Sequence, residues 1–347
     1  MRIAIVTDAW RPQVNGVVRT YEQTIAQLEA MGHTATVISP ADFRTFPCPT
    51  YPSIRLAWLP RRGVTRALRA FQPDAIHIAT EGPLGHAARS VCRANELPFT
   101  SAFHTQLPEY IHARVPLPIR WSYAYLRRFH VPAVRTLVPT PSQLERLREY
   151  RFEHLVVWPR GVDTTVFRPY GKAALDLPRP ISMYMGRVAV EKNLDAFLSL
   201  DLPGTRVVVG DGPDRYRLSQ QYPDAVFTGE HGGEALARLV SAADVFVFPS
   251  LTDTFGVVLL EAMACAVPVA AFPVTGPIDV VEQGVTGVLD ADLRKAILGA
   301  LALSPEPCVA YARSRSWRAA TETFVAQLVP ISTPLVQRFC STLEPGT

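Results

Sequence analysis

Short, almost continuously apolar segments alternate with amphipathic helical segments along most of the 347-residue chain. Continuous hydrophobicity is typical of strands that are covered on both faces, as the strands of a parallel sheet are. Parallel strands need a crossover between them, and that crossover is usually a helix. The alternation therefore predicts α/β domains built on parallel sheets. Strands are predicted at 2–7, 34–39, 75–79, 136–140, 155–158, 181–186, 206–210, 225–229, 245–250 and 268–272.

A stretch rich in Pro, Gly and Asp at 162–180 separates two such alternating blocks. This composition is typical of a linker. Two blocks joined by one linker predict two Rossmann-like, doubly wound domains that face each other across a cleft. The first domain is predicted at 1–168 and the second at 169–315.

The formal net charge of +4 is divided unevenly between these domains. Residues 1–168 hold 21 arginines and 12 acids, which gives +9, whereas the remainder holds 14 bases and 19 acids, which gives −5. Different partners for the two domains explain this asymmetry, and so does an uneven spread of solvated charge on an arginine-rich protein.

The cysteines and the apolar segments indicate where the protein works. Its five cysteines are odd in number and widely spaced and form no C-x-x-C pair, which is typical of reduced thiols in a cytosolic protein. The first apolar run is too short for a signal peptide. The segment 256–274 is long enough to span a membrane, but it contains Glu261 and two prolines, so we expect a helix followed by a buried strand.

The first strand leads into an Asn15-Gly16 pair rather than into a G-x-G-x-x-G turn, so no dinucleotide-binding fingerprint is present. Asn-Gly permits a close backbone approach just before a helix N-terminus, where an anion is favoured. By itself, such a pair is more often an ordinary turn.

The loop GRVAVEKN at 186–193 carries Lys192, one of three lysines among the 35 basic residues of the chain. The loop follows a strand that ends at Gly186 and precedes a helix predicted to start near Asn193. Arg187 and Lys192 are therefore predicted to project from the carboxyl edge of the sheet, where ligands of open α/β sheets bind.

Two further segments end at the same predicted edge. VGDGP is a turn after a strand and contains Gly210, and PSLTDTFGVVLLEAMACAVPV begins at residue 249. The second segment places Asp253 on a loop and Glu261 about a turn and a half into a helix. The N–H groups expected at the start of that helix, facing the cleft, are those of Phe255, Gly256 and Val257.

These motifs, together with TDAWRPQVNGVVRT and SAFHTQLPEY, resemble those of glycosyltransferase family 4, the retaining GT-B enzymes. They are most similar to bacterial members that transfer sugars to diacylglycerol or related lipids. The resemblance extends from Ile3 to about Ala320. It implies a GT-B fold in which 316–347 returns to the first domain as a C-terminal helix. It also implies a nucleoside diphosphate sugar donor, a lipid acceptor, retention of anomeric configuration, and no cofactor or catalytic metal.

The resemblance gives a physical reason for the lysine. Cleavage of the donor leaves negative charge on the diphosphate, and protein cations must neutralise it in the absence of a metal. An arginine fork binds two phosphate oxygens, and a lysine places a compact charge beside them. Arg187 and Lys192 are therefore assigned to the leaving group, although a surface lysine without a function remains the alternative.

The other roles that the resemblance implies follow position by position. Glu261 corresponds to the acid that binds the ribose hydroxyls. Asp253 stands where the family usually has glutamate and would hold hydroxyls of the transferred sugar. His104 matches a histidine that approaches this sugar from the first domain, although an isolated histidine is more often structural. The predicted catalytic set is His104, Arg187, Lys192 and Asp253. The predicted donor-binding set is Gly16, Gly186, Arg187, Lys192, Gly210, Phe255, Gly256, Val257 and Glu261.

Several alternatives remain open at this point. The donor is predicted to be a UDP-sugar, with GDP-mannose as the alternative, and the acceptor could also be soluble or a polysaccharide. A sugar-nucleotide epimerase or phosphorylase, or a non-catalytic nucleotide-sugar-binding protein, could share the two-domain architecture. Asp290 and Asp292 imitate a metal-binding D-x-D motif but are predicted to cap a helix, so no metal site is assigned.

Basic residues interleaved with aromatic residues occur twice in the first domain, at 54–71 and at 113–135. This pattern suits the interface of an anionic membrane. Ordinary amphipathic core helices are the alternative; nucleic acid is disfavoured because no nucleic-acid motif is present. The sequence thus predicts a cytoplasmic protein attached peripherally to the inner face of the plasma membrane. The second segment contains Arg114, Arg120, Arg127, Arg128 and Arg135 with Trp121, Tyr123, Tyr125 and Phe129.

Overall fold

The computed structural model describes residues 1–13, 15–48, 51–112 and 118–341. The chain forms two compact units, one comprising Met1–Pro159 with Ala320–Thr347 and the other Arg160–Ala319. Each unit contains a six-stranded parallel sheet with helices between successive strands. The predicted α/β class is therefore confirmed.

In the first unit, the strand order of the parallel sheet is β2-β1-β5-β6-β7-β8, and β3 and β4 form a separate antiparallel pair. Its strands are β1 (Arg2–Val6), β2 (Thr34–Ile38), β3 (Thr45–Cys48), β4 (Tyr51–Ala57), β5 (Ala75–Ile78), β6 (Thr100–Ala102), β7 (Arg135–Val138) and β8 (Leu155–Val157). Its helices up to that point are α1 (Gly16–Ala30), α2 (Arg61–Phe71), α3 (Pro83–Ala94), α4 (Leu107–His112), α5 (Ile119–His130) and α6 (Pro141–Glu149), with a 3₁₀ turn at Pro40–Asp42.

In the second unit, the strand order is β11-β10-β9-β12-β13-β14. Strands β9 to β11 extend the sheet toward one side, and β12 to β14 extend it toward the other, so the order of strand addition reverses between β9 and β12. Its strands are β9 (Ile181–Met185), β10 (Thr205–Val209), β11 (Val226–Gly229), β12 (Val245–Phe248), β13 (Val269–Ala271) and β14 (Gly287–Leu289). Its helices are α7 (Asp195–Leu198), α8 (Arg215–Gln221), α9 (Gly233–Ala242), α10 (Val257–Ala264), α11 (Pro277–Val280), α12 (Leu293–Ala300) and α13 (Glu306–Arg313), with a 3₁₀ turn at Val190–Lys192.

The central strands read as apolar runs because both of their faces are buried. All five residues of β9 are buried, and alternate residues pack into the two separate cores on opposite faces of the sheet. Four strands were not predicted: the antiparallel pair β3 and β4, and the short strands β6 and β14 of the parallel sheets. Strands β6 and β14 have three residues each, and β6 contains Thr100 and Ser101, so neither forms a recognisable apolar run.

The segment predicted as a linker, 162–180, belongs to the second unit instead. Val162 forms a β-bridge with Ser316, and Val162 and Phe167 are buried in a core of that unit. The division therefore falls at Pro159/Arg160 rather than at 168/169. Composition identifies a loop here, but it does not reveal that apolar residues spaced along the loop pack against the sheet.

The C-terminal part of the chain, α14 (Trp317–Gln327) and α15 (Thr333–Ser341), returns to the first unit from Ala320 onward. Phe324 is completely buried there, and the Ile331 N–H donates to the Asp74 carbonyl at 2.7 Å. The predicted return of the C-terminal helix is confirmed.

The apolar segment at 256–274 forms helix α10 followed by the buried strand β13, as predicted. Among the residues that the structure describes, no helix is both long and apolar enough to cross a membrane.

Candidate functional site

The predicted donor site lies at the carboxyl edge of the second sheet, where its strand order reverses. The loop after β9 and the loop after β12 leave neighbouring strands at this point, because β9 and β12 pair in the sheet. Ligands of open α/β sheets bind outside such a switch point, since the two connections diverge to opposite faces and leave a crevice.

Lys192 and Asp253 form a direct contact between these two loops. The Lys192 Nζ donates to Asp253 Oδ1 at 2.8 Å and to Oδ2 at 2.7 Å, and the two side chains are only 19% and 20% exposed. Asn193, in the left-handed region at φ 54°, links the same loops because its Nδ2 donates to the Pro249 carbonyl at 3.1 Å. The mostly buried ion pair is thus accompanied by a second hydrogen bond between the same loops, and it is screened less than a surface pair.

The loop differs from the prediction after Lys192. The lysine ends a 3₁₀ turn, and α7 begins at Asp195 rather than near Asn193 and has four residues. A helix this short adds little dipole to the site, so the local positive charge comes mainly from the side chains.

Gly186 and Gly210 bring the ends of β9 and β10 close together. A Cβ atom on Gly210 would lie 1.9 Å from the Gly186 carbonyl oxygen, and Gly210 has a φ of 142°. Glycine is therefore required here for the backbone itself. Their predicted contact with a donor remains a prediction.

Helix α10 begins beside the ion pair with its first N–H groups open. Its N-cap is Gly256, at φ 78°, which has no side chain to accept from them. In the described part of the chain, the N–H groups of Phe255, Gly256 and Val257 make no hydrogen bond to the backbone, and no side chain caps the helix. Open N–H groups at a helix start favour an anion, both as donors and through the helix dipole.

Side chains of the protein cap the N-termini of two helices in the first unit. Asn15 Oδ1 accepts from the N–H groups of Val17 and Val18, both at 3.0 Å, so the α1 start near Gly16 offers fewer donors than the sequence suggested. Asp8 accepts from Leu84 and Gly85 at the start of α3. Burial raises the pKa of the Asp8 carboxyl, and these N–H groups oppose the shift.

Glu261 and Arg187 lie on the same two connections. Glu261 is 5% exposed and lies in α10 among buried apolar residues. The Arg187 side chain is exposed, while its carbonyl accepts from the Tyr184 hydroxyl at 2.8 Å. The structure thus places all four predicted polar residues of the second unit on the two connections that leave this sheet edge, and it brings Lys192 and Asp253 into direct contact.

His104 lies in the first unit, directly after β6, and is partly buried. Its Nε2 lies 2.8 Å from the Tyr21 hydroxyl, which is also 2.7 Å from Nε2 of His77. The sequence analysis singled out neither Tyr21 nor His77. The signal for His77 was present, because a histidine in the middle of the apolar strand at 75–79 needs a buried partner.

The predicted cap at the D-x-D imitation is confirmed. Asp292 is the N-cap of α12, and its Oδ1 accepts from the Lys295 N–H at 3.2 Å. Asp290 in turn accepts from the Asp292 N–H at 2.8 Å. Both carboxylates therefore order the turn that starts the helix.

Two family models match the chain, one mainly in the first unit and one within the second. The model described as Glycosyltransferase Family 4 matches residues 14–166, and the model described as Glycosyl transferases group 1 matches residues 179–302. A GDP-mannose-dependent alpha-mannosyltransferase of Corynebacterium glutamicum is 33% identical over 316 residues, which cover 83% of this chain and 76% of that one. The chain belongs to glycosyltransferase family 4. It is a hexosyltransferase that uses a nucleotide sugar, as predicted.

Further relatives support the fold and the breadth of the family. An alpha-monoglucosyldiacylglycerol synthase of Streptococcus pneumoniae is 27% identical over 88% of this chain and 79% of its own. The solved structure of sucrose-phosphate synthase from Thermosynechococcus elongatus superposes with a TM-score of 0.75 at 22% identity, covering 94% of this chain and 97% of that one. The predicted GT-B fold is confirmed.

Proposed function

We propose that this family 4 enzyme transfers a hexose from a nucleoside diphosphate sugar to a membrane lipid, with retention of configuration and without a metal. The observation that most supports this proposal is the Lys192–Asp253 ion pair beside the uncapped N-terminus of α10. A fixed cation and three N–H donors at one sheet edge suit a diphosphate that gains charge as its bond to the sugar breaks. In this proposal, Arg187 binds the same diphosphate as a fork.

In this proposal, Asp253 also binds the transferred sugar. When the diphosphate arrives, it takes over the Lys192 ammonium as a partner, and the Asp253 carboxylate turns to accept from hydroxyls of the transferred sugar. Glu261 accepts from the ribose hydroxyls, and His104 contacts the sugar from the first unit. Because Asp253 is one methylene shorter than the glutamate usual in the family, it selects sugars whose hydroxyls approach the loop closely.

GDP-mannose is the first donor to test. The Corynebacterium glutamicum relative is named for its dependence on GDP-mannose, and it matches 83% of this chain. A UDP-sugar, which the sequence motifs favoured, is the second candidate. The name of the Streptococcus pneumoniae relative, an alpha-monoglucosyldiacylglycerol synthase, supports a diacylglycerol-type lipid as acceptor.

The exposed face of α5 supports a membrane-bound acceptor. Tyr123 and Phe129 of this segment are buried in the core, but Trp121 and Tyr125 are 59% and 56% exposed. The segment is therefore an amphipathic core helix that also presents large aromatic side chains to solvent, where they suit a headgroup region. Arg114 of the same predicted segment lies outside the described residues.

Four arginines border a concave surface of about 680 Å³ beside those aromatics: Arg89, Arg93, Arg127 and Arg128. Among the described residues, no carboxylate lies within salt-bridge distance of any of the four. Burial lowers the pKa of Arg89, and repulsion from Arg93 and Arg128 adds to this shift. An uncompensated cationic surface of this kind favours contact with anionic lipid headgroups.

We expect lipid extracts incubated with the enzyme and radiolabelled GDP-mannose to gain label in the organic phase, with EDTA present throughout. The protein cations and helix N–H groups are proposed to neutralise the leaving group, so chelation should leave the rate unchanged. A parallel panel of UDP-sugars tests the second donor, and the anomeric configuration of the purified product tests retention. Label in a water-soluble product only would reject the lipid acceptor. Loss of activity in EDTA with recovery in Mg²⁺ or Mn²⁺ would reject metal independence.

We expect the triple variant Arg120→Glu, Arg127→Glu, Arg128→Glu to bind anionic vesicles at least about 10²-fold more weakly than the wild type. Each basic residue near an anionic surface contributes about 1 kcal/mol, and a tenfold change in affinity is about 1.4 kcal/mol. Co-sedimentation with phosphatidylglycerol vesicles measures this, and wild-type binding should weaken at 1 M salt, where the Debye length is about 3 Å.

The matched control reverses three exposed charges of the second unit, Arg294, Lys295 and Arg313, to glutamate. This variant has the same net charge but should bind vesicles as the wild type does. Hydrolysis of the donor in solution should be unchanged in both variants. If both variants lose the same affinity for anionic vesicles, the effect depends on net charge alone. If the wild type binds neutral and anionic vesicles equally, the proposed docking surface is rejected.

A further inference from the structure

A continuous line of hydrogen bonds leads from the interior of the first sheet to His104. Thr100 Oγ1 lies 2.8 Å from His77 Nδ1, His77 Nε2 lies 2.7 Å from the Tyr21 hydroxyl, and that hydroxyl lies 2.8 Å from His104 Nε2. His77 on β5 and Thr100 on β6 are register partners, so their side chains share one face of the sheet, the face against which Tyr21 of α1 packs. Three separate elements therefore meet at this line.

The surroundings of the line are apolar and aromatic. Thr100, His77 and Tyr21 are completely buried. The Phe324 ring lies edge-on to His77, with centroids 4.9 Å apart, and the Trp158 ring lies 5.8 Å from that of Tyr21 and 5.9 Å from that of His104. In such surroundings a hydrogen bond is stronger than in water, and a polar atom that loses its partner is costly. These hydrogen bonds therefore hold the side chains of the line in a single arrangement.

The hydrogen-bond directions are assigned from the inner end of the line. The Thr100 hydroxyl lies 3.5 Å from the Ile76 carbonyl, which can only accept, and we assign the Thr100 proton to that contact, so that Thr100 accepts from the Nδ1–H of His77. Nε2 of His77 then accepts from the Tyr21 hydroxyl, and the Tyr21 oxygen accepts from Nε2–H of His104. In this assignment, a neutral His104 carries its proton on Nε2, and Nδ1 is its unprotonated ring nitrogen.

We propose that Tyr21 and His77 are positioning residues that fix the ring orientation and the tautomer of His104, so that its Nδ1 accepts a hydrogen bond from a hydroxyl of the transferred sugar. The proposal rests on the function proposed above for His104. It adds that the histidine discriminates in favour of a donor bearing a hydroxyl at the contacted position, because a neutral ring with Nδ1 unprotonated has no proton to give there.

The Tyr21→Phe variant tests the proposal, because it removes one oxygen and leaves the ring packing in place. We expect kcat/KM to fall about 10- to 100-fold, as a hydrogen bond between buried groups is lost and two ring nitrogens lose a partner. The affinity for the nucleoside diphosphate alone should not change, since its proposed contacts lie in the second unit. Among donors that each lack one hydroxyl, the deoxy donor that the wild type uses least well should approach the full donor in the variant.

The control is Tyr123→Phe, which removes another hydrogen-bonded hydroxyl from a buried tyrosine of the same unit. The Tyr123 hydroxyl donates to Glu109 at 2.6 Å and lies outside the line to His104. The control should keep the wild-type selectivity among deoxy donors. Equal kinetic losses in both variants would reduce Tyr21 to a packing role and overturn the proposal.

Nitrogen-15 NMR of histidine-labelled protein separates this inference from the function on which it rests. The wild type should show His104 with its proton on Nε2 and His77 with its proton on Nδ1, and Tyr21→Phe should change the His104 tautomer populations. An unchanged His104 tautomer in the variant overturns the positioning role. If the tautomers behave as expected but His104→Ala transfers sugar at the wild-type rate, the positioning stands and the proposed role of His104 in transfer fails.

Discussion

We expect the Lys192→Ala variant to turn over about 10²- to 10³-fold more slowly than the wild type, the loss found when one donor to a developing charge is removed from an active site. The contact of the lysine with the diphosphate strengthens as the bond to the sugar breaks, so kcat should fall more than donor affinity. Single-turnover transfer from radiolabelled donor measures the chemical step directly.

The chain offers a matched control, because it has only three lysines. Lys295 is exposed and pairs loosely with Asp292 at 3.9 Å, so Lys295→Ala should retain the wild-type rate. The double variant Lys192→Ala, Asp253→Asn distinguishes two causes of the loss, since Lys192→Ala also leaves the one-fifth-exposed Asp253 carboxylate without its cation. If the double variant regains most of the wild-type rate, the lysine only neutralises Asp253, and its role at the leaving group is wrong.

The second large effect is expected at Glu261, where Glu261→Gln should weaken binding of the nucleoside diphosphate about 10- to 100-fold. Hydrogen bonds to a charged group contribute about 1.5–3 kcal/mol, and glutamine keeps the shape of the buried side chain while removing its charge. Isothermal titration with the nucleoside diphosphate measures the affinity. Glu234→Gln, on the exposed face of α9, is the control and should bind as the wild type does.

A ligand lacking both ribose hydroxyls makes this test specific. The wild type should bind the 2′,3′-dideoxy nucleotide about as weakly as Glu261→Gln binds the full nucleotide. The variant should bind the two nucleotides almost equally, because the interacting partner is already gone. Unchanged discrimination in Glu261→Gln would show that the glutamate is structural and would remove it from the donor site.

The sequence predicted where the candidate residues of the second unit lie, because their placement depends on local geometry. Lys192 follows its strand within one loop, and Glu261 follows Gly256 within one helix, so spacing along the chain determines where both side chains lie. The contact between Lys192 and Asp253 requires that β9 and β12 be neighbours. They are the first and fourth strands of their unit, and the Rossmann strand order places the first and fourth strands side by side.

The first unit's line to His104 was not predictable in the same way. Tyr21 and His77 are 56 residues apart, and they meet only because α1 packs over β5. His77 and Thr100 meet through the register of two strands, one of which is too short to be recognised in the sequence. Spacing along the chain carries no information about such contacts. A buried histidine in an apolar strand does indicate that a partner exists, without saying which residue it is.

The return of the C-terminal segment determines the order in which the units can be completed during synthesis. Phe324 and Ile331 fill positions in the first unit's cores, and both follow the entire second unit along the chain. While the ribosome is still translating residues after 319, the second unit has all of its residues and the first does not. The usual sequence, in which the N-terminal domain folds first, is therefore reversed for the final step. The half of the enzyme that emerges first is the last to reach its native core.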